Sequence, residues 1–286
     1  MERLIMESMS PLQAVLGLDA LDGDRFLAVP VPTPLRRLFG GQVAAQALRA
    51  ASMTVDTSRP PHSLHGYFIR PGRPSEGVYF EVERTRDGRA FSTRRVTASQ
   101  EGKPVFEMLA SFHDPEPGAD WQEATLPPVP SPQELRTVSF TGLFGKSHPV
   151  EIRPVTPPEP GTFPKIHPFW VRVTAPVGPD EASHACLLTY LSDIATVRAA
   201  CAPGIAAWPG LTVSLDHSVW FHRPARVDQW LLISMDPAAH IGTRGLARGS
   251  IQTTDGTLIA SVAQEALLRP DTGDGHDQRG GGPRRT

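Results

Sequence analysis

Two cysteines, Cys186 and Cys201, are all the thiol chemistry in 286 residues. So few cannot build a disulfide framework, and the chain holds no C-x-x-C or H-E-x-x-H motif, so neither a stapled secreted fold nor a zinc site is expected. Lysine is as scarce, with Lys103, Lys146 and Lys165 the only three. Neither sign of charge is in excess, and the formal net charge of −2 excludes a polybasic binder of nucleic acid or membrane surface. No apolar run reaches the roughly 18 residues of a membrane-spanning helix. Glu2, Arg3 and Glu7 interrupt the apolar core that a secretion signal needs, and the closing PRRT is neither a peroxisomal nor a retention signal. The expectation is a cytoplasmic protein without metal, cofactor, nucleic-acid partner or membrane span.

Proline and glycine, by contrast, are abundant at 30 and 25 residues. Eleven of the prolines fall between Pro115 and Pro160, too dense for a continuous helix or a central strand. The final DTGDGHDQRGGGPRRT has almost no apolar group and is expected to be disordered. Setting these aside gives a first unit at 1–114, a Pro-rich linker at 115–160, a second unit at 161–270 and a tail at 271–286.

The two units resemble each other. Arg70-Pro71 and Arg223-Pro224 stand 153 residues apart, as do Phe68 and Phe221. Glu101-Gly102 matches Asp255-Gly256 at 154, and GGQVAAQALRAAS (40–52) sits over TYLSDIATVRAAC (189–201) at 149. Ordered matches over three elements indicate a duplicated domain. Residues 41–52 are helical by propensity, GVYFEVERT alternates with Val78, Phe80 and Val82 on one face, and Asp87-Gly88 marks a turn. One helix followed by several strands in each unit predicts an α+β architecture.

Duplication also supplies an internal control for function. At the offsets above, Asp193 stands opposite Ala44, Ser214 opposite Pro61 and Gln264 opposite Ala110, polar against non-polar each time. Asp193, set among Leu, Tyr, Ile and Val, is expected to be partly desolvated, which favours base chemistry. On residue grounds alone a solvent-facing acid, a backbone-bonded amide and an ordinary strand serine stay open.

Five segments then carry a family resemblance: FGGQVAAQAL (39–48), HSLHGYFIRPG (62–72), RDGRAFSTRRV (86–96), LDHSVWFHRP (215–224) and VAQEALLR (262–269). In order and spacing they resemble the TesB-like type II acyl-CoA thioesterases. The resemblance implies a double hot-dog, two tandem repeats each with a long central helix wrapped by an antiparallel sheet, that hydrolyses acyl-CoA to free acid and coenzyme A. It also implies a homo-oligomer, dimer or tetramer, and a catalytic set that matches Asp193, Ser214 and Gln264, with Thr in some relatives where this chain has Ser214. The expected mechanism is a water held by the three and deprotonated by Asp193, with the oxyanion on backbone N–H groups near the central helix. No G-x-S-x-G supplies a serine nucleophile.

Two other readings are weighed. A hot-dog enoyl-CoA hydratase resembles a helix entry with His five residues after the Asp, where this chain has Arg198. A non-catalytic acyl-CoA-binding protein has no need of a water-positioning set. Gly145-Lys146-Ser147 fails as a P-loop because position 140 is Phe, and His62 and His65 lie on a strand, not at helical ligand spacing. From Arg84, Arg86, Arg89, Arg94 and Arg95 one or two are expected to meet coenzyme A phosphates. Phe39, Trp208 and the 203–210 loop are candidates for the apolar lining.

Overall fold

The computed structural model describes residues 11–30, 34–138, 149–157, 166–202 and 209–270. Gly145-Lys146-Ser147, Trp208 and the 271–286 tail lie outside them. In the first half, helix α1 (Pro11–Leu16) and strands β1 (Asp19–Ala20) and β2 (Arg25–Ala28) precede helix α2 (Gly40–Ser52). Strands β3 (Pro61–Phe68), β4 (Val78–Asp87), β5 (Phe91–Gln100) and β6 (Lys103–His113) follow. The second half runs β7 (Val150–Pro154), β8 (Phe169–Val173), α3 (Glu181–Ser192), α4 (Thr196–Ala199) and β9 (Pro209–Ser214). It closes with β10 (Asp216–Phe221), β11 (Leu231–Ile241), β12 (Arg244–Thr253) and β13 (Leu258–Pro270).

Among the described residues the strands form one 13-stranded sheet in the order β1-β2-β4-β5-β6-β3-β10-β13-β12-β11-β8-β7, with β9 also paired to β13. Read outward from the β3–β10 junction, both halves have the same succession. The α+β double hot-dog is therefore present, but its two sheets are fused edge to edge rather than separate. β5 and β12 begin and end 153 residues apart, and β4 and β11 begin 153 apart. Pairing register agrees, because His65 faces Leu109 as Ser218 faces Ala263.

Local chemistry explains the elements. The alternation read in GVYFEVERT places Val78, Phe80 and Val82 inward, each at most 5% exposed. The β5–β6 hairpin closes on Glu101-Gly102, both at positive φ (47° and 72°), the conformation a two-residue hairpin turn requires. Helix α2 is almost wholly buried because Ala44, Ala45, Ala47, Leu48, Ala50 and Ala51 make it small and apolar where the sheet and α3 cover it, with Gln46 the buried polar exception. Helix α3 starts on Asp180, whose carboxylate accepts from the Ser183 N–H at 3.0 Å.

Three sequence expectations are altered. The stretch 115–160 is more than a linker: its residues 150–154 form β7, the outermost strand of the second half. Proline is tolerated there because an edge strand has one side without ladder hydrogen bonds. The helices begin 141 residues apart, not 149, so the strands support the duplication more firmly than the Asp193–Ala44 match does. The second helix is also not continuous. It stops at Ser192 with Asp193 as its C-terminal cap, and Ala195 at φ 60° turns the chain before α4.

A left-handed alanine costs about 1–2 kcal/mol. Ala195→Gly is therefore expected to stabilise the fold by about 0.5–1 kcal/mol, since the lost methyl offsets part of the relief. A raised urea midpoint at unchanged slope is the readout.

Candidate active site

Asp193 is held between the two halves. From the end of α3 its Oδ2 accepts the Gly41 N–H of α2 at 2.6 Å, a bond between residues 152 apart in sequence. That approach requires glycine: a Cβ on Gly41 would lie 2.7 Å from the Tyr190 carbonyl oxygen and 2.9 Å from the Asp193 Cβ. The positive end of α2 therefore faces the carboxyl. Burial nevertheless dominates and pushes the Asp193 pKa up to about 7, against the lowering effects of the Gln264 amide and the Gly41 N–H. Asp193 is 5% exposed, and its Oδ1 has no hydrogen-bond partner among the described residues within bonding geometry, although Gln264 is close enough to act on it.

Gln264 reaches the site from β13, fully buried, and its Nε2 donates to Ser214 Oγ at 2.8 Å. Its Oε1 lies 2.5 Å from His217 Nδ1, and His217 Nε2 lies 2.7 Å from Ser192 Oγ. The strand geometry that brings these groups together is irregular. Ser214 and His217 are three residues apart and would face opposite sides of a regular strand. Ser214 lies opposite Ala266 and Ser218 opposite Ala263, so the β9–β10 chain gains one residue on β13. That slip turns Ser214 and His217 both toward Gln264, as bulges beside functional sites do.

The three sequence-derived residues thus converge: Gln264 touches Ser214 and acts on Asp193. His217 and Ser192 were missed, although a signal existed for His217. At the strand offset of 153 its counterpart is Leu64, which is fully buried and apolar.

Residues 29–113 match the family model for the acyl-CoA thioesterase N-terminal domain, and residues 140–267 match the model for acyl-CoA thioesterase. Human acyl-coenzyme A thioesterase 8 is 37% identical over 281 residues, covering 89% of this chain and 88% of its own. Acyl-CoA thioesterase 2 of Haemophilus influenzae is 34% identical and covers 89% and 96%. This chain belongs to the acyl-CoA thioesterase family. The crystal structure of acyl-CoA thioesterase II TesB2 from Mycobacterium marinum superposes with a TM-score of 0.77 at 35% identity, over 92% of this chain and 98% of that one.

Several side chains of this acyl-CoA thioesterase have other duties. His62 bonds Ser111 and His65 bonds Ser218. Arg84 pairs with Asp24 at 2.6 Å, the buried Arg94 with Asp87 at 2.7 Å, and Arg95 with Glu107 at 3.3 Å. Arg94 also bonds Thr54 just past the C-terminal end of α2, about 20 Å along the helix direction from Gly41 at a rise of 1.5 Å per residue. Only Arg86 and Arg89 of the cluster stand exposed without a side-chain ion pair among the described residues. Phe39 lies beside the site, its ring 5.1 Å edge-on to Tyr190.

Proposed function

We propose that Asp193, Ser214 and Gln264 hold the water with which this acyl-CoA thioesterase cleaves its substrate. The observation that carries this is the buried Asp193 Oδ1, without a bonded partner among the described residues, close to the Gln264 amide that also bonds the Ser214 hydroxyl. Ser214 accepts the Gln264 amide and keeps its own hydrogen to donate. Asp193 takes a proton from the water as the oxygen attacks the thioester carbonyl carbon. The tetrahedral oxyanion is stabilised by the positive N-terminal end of the α2 dipole. Collapse breaks the carbon–sulfur bond, and the proton on Asp193 passes to the departing thiolate, giving acid and coenzyme A thiol. A carboxyl with a pKa near 7 is matched to both halves of that exchange at neutral pH.

Thiol release from a chain-length series of acyl-CoAs tests this. Wild-type enzyme is expected to release thiol, with Ser214→Ala and Gln264→Ala each about 10–100-fold slower, the range for removing one or two positioning hydrogen bonds. Water addition to a crotonyl-type substrate without thiol release would instead mark a hydratase. Wild-type rates in both alanine variants would remove these residues from the mechanism.

We also propose a cytoplasmic homo-oligomer, dimer or tetramer, built on units 1–114 and 161–270 with the strand at 150–154 joining the second. Tyr67, His65 and Trp220 on β3 and β10, with Leu109 on β6, form an exposed row on the fused sheet, with Tyr67 62% exposed, which supports association there. Light scattering on the eluting protein reads the mass directly.

A further inference from the structure

His217 takes no part in the chemistry just described, yet it is fully buried and bonded on both ring nitrogens. Burial holds its pKa down at about 4, so the ring is neutral at working pH and carries one N–H and one acceptor. Its position is also distinctive. Continuing the β10–β13 register from Ser218–Ala263 sets His217 across from Gln264. The equivalent cross-strand pair of the first half is Leu64–Ala110, both buried and apolar. The half that carries Asp193 has an imidazole–amide pair in its core where the other half has an apolar pair. A buried polar pair is costly unless fully bonded, so stability alone gives no reason for it.

The bonding admits two arrangements. Ser192 Oγ lies 2.7 Å from His217 Nε2 and 2.8 Å from the Thr189 carbonyl, and its single hydrogen serves one of them. If it goes to Nε2, Nδ1–H donates to Gln264 Oε1, and both amide hydrogens are left for Ser214 and Asp193. If it goes to Thr189, the ring is reversed and the amide turns its oxygen to the Asp193 carboxylate. An amide oxygen against an anion is repulsive, whereas an amide N–H stabilises it.

We propose that His217 is a positioning residue, which by donating from Nδ1 fixes the Gln264 amide with its nitrogen toward Asp193 and Ser214. The proposal rests on the assignment of Asp193, Ser214 and Gln264 above. With Ser192 and Gln264 on its two ring nitrogens, His217 acts through Gln264, as a bonded partner fixes a ligand's orientation in a metal centre.

The test is a set of variants read by thiol release: His217→Leu, His217→Asn, Gln264→Ala and the double variant His217→Leu/Gln264→Ala, which restores the side-chain pair of the first half. Asparagine can place an N–H where Nδ1–H stands. His217→Leu is expected to lower kcat about 10–100-fold with KM within about twofold, and to move the midpoint of the rising pH limb upward as the Asp193 carboxylate loses the oriented amide. His217→Asn is expected to stay within about threefold of wild type with its midpoint unmoved. The double variant should be no slower than Gln264→Ala alone. An unchanged kcat in a folded His217→Leu, a His217→Asn tenfold or more below wild type, or a double variant slower than Gln264→Ala overturns the proposal. Should His217→Leu not fold, the asparagine and double variants decide in the same terms. Full activity in Gln264→Ala would instead refute the underlying site assignment, a result distinct from any of these.

Discussion

Replacing Asp193 with Asn is expected to cut acyl-CoA hydrolysis by about 10²–10⁴-fold, the usual worth of a general base. The shape of the group is kept, and the Gly41 N–H can still donate to the remaining oxygen, so the loss reports proton transfer. Wild-type activity should rise with pH through about 7, where Asp193 loses its proton, and that limb should vanish in the variant. Stability should move the other way. In the folded protein the Asp193 pKa of about 7 lies above the 3.8 of an exposed aspartate, so ionisation penalises the fold. That penalty is absent below about pH 4, grows through the interval, and is complete above about pH 7, where it amounts to no more than about 4 kcal/mol. The Asn variant should therefore melt higher than wild type at pH 8, with the gap closing toward pH 4. Calorimetry across that range and a kinetic pH profile on the same samples check both signs. A variant as active as wild type would end the base assignment.

Gly41→Ala carries the second large effect. The added methyl meets the Phe39 ring at 2.7 Å and the Tyr190 carbonyl oxygen at 2.7 Å, and the latter is backbone that cannot yield without moving α2 away from α3. Overpacking of this kind costs about 1–3 kcal/mol. Because the same displacement lengthens the 2.6 Å bond to Asp193, we expect activity to fall at least about tenfold, the worth of 1.4 kcal/mol in a barrier. Gly102→Ala is the matched control. At φ 72° with nothing within 4 Å of a Cβ, it strains only its own backbone and should lose stability without losing kcat in the folded fraction. Equal kinetic losses in both variants would mean that destabilisation alone explains the first.

Where sequence patterns were regular they were readable. Val78, Phe80 and Val82 alternate as the strand buries them, and GGQVAAQALRAAS folds as one helix whose bounds differ from the expected 41–52 by a single residue. The strand offset of 153 is visible in Arg70-Pro71 and Arg223-Pro224 without coordinates. What stayed hidden depends on departures from period. The one-residue slip between Ser214 and Ser218 leaves no composition mark, yet it decides which face Ser214 and His217 share. The end of α3 at Ser192 depends on Ala195 adopting a conformation alanine rarely takes, so propensity runs the helix through Asp193. Proline density argued against strand structure in 115–160, and it took an edge position to make β7 possible. A lone histidine in a strand carries no motif, and only the contrast with Leu64 at the equivalent position of the first half marks His217 out.

The Gly41–Asp193 bond joins groups supplied by different halves of one chain. In an assembly of separate single-domain subunits, forming such a contact is a second-order event, and dilution erodes it. Here the tether and the β3–β10 junction make it first-order, with an effective concentration set by chain geometry and not by the solution. Specific activity per chain should accordingly hold constant as the enzyme is diluted below the dissociation constant of any larger assembly.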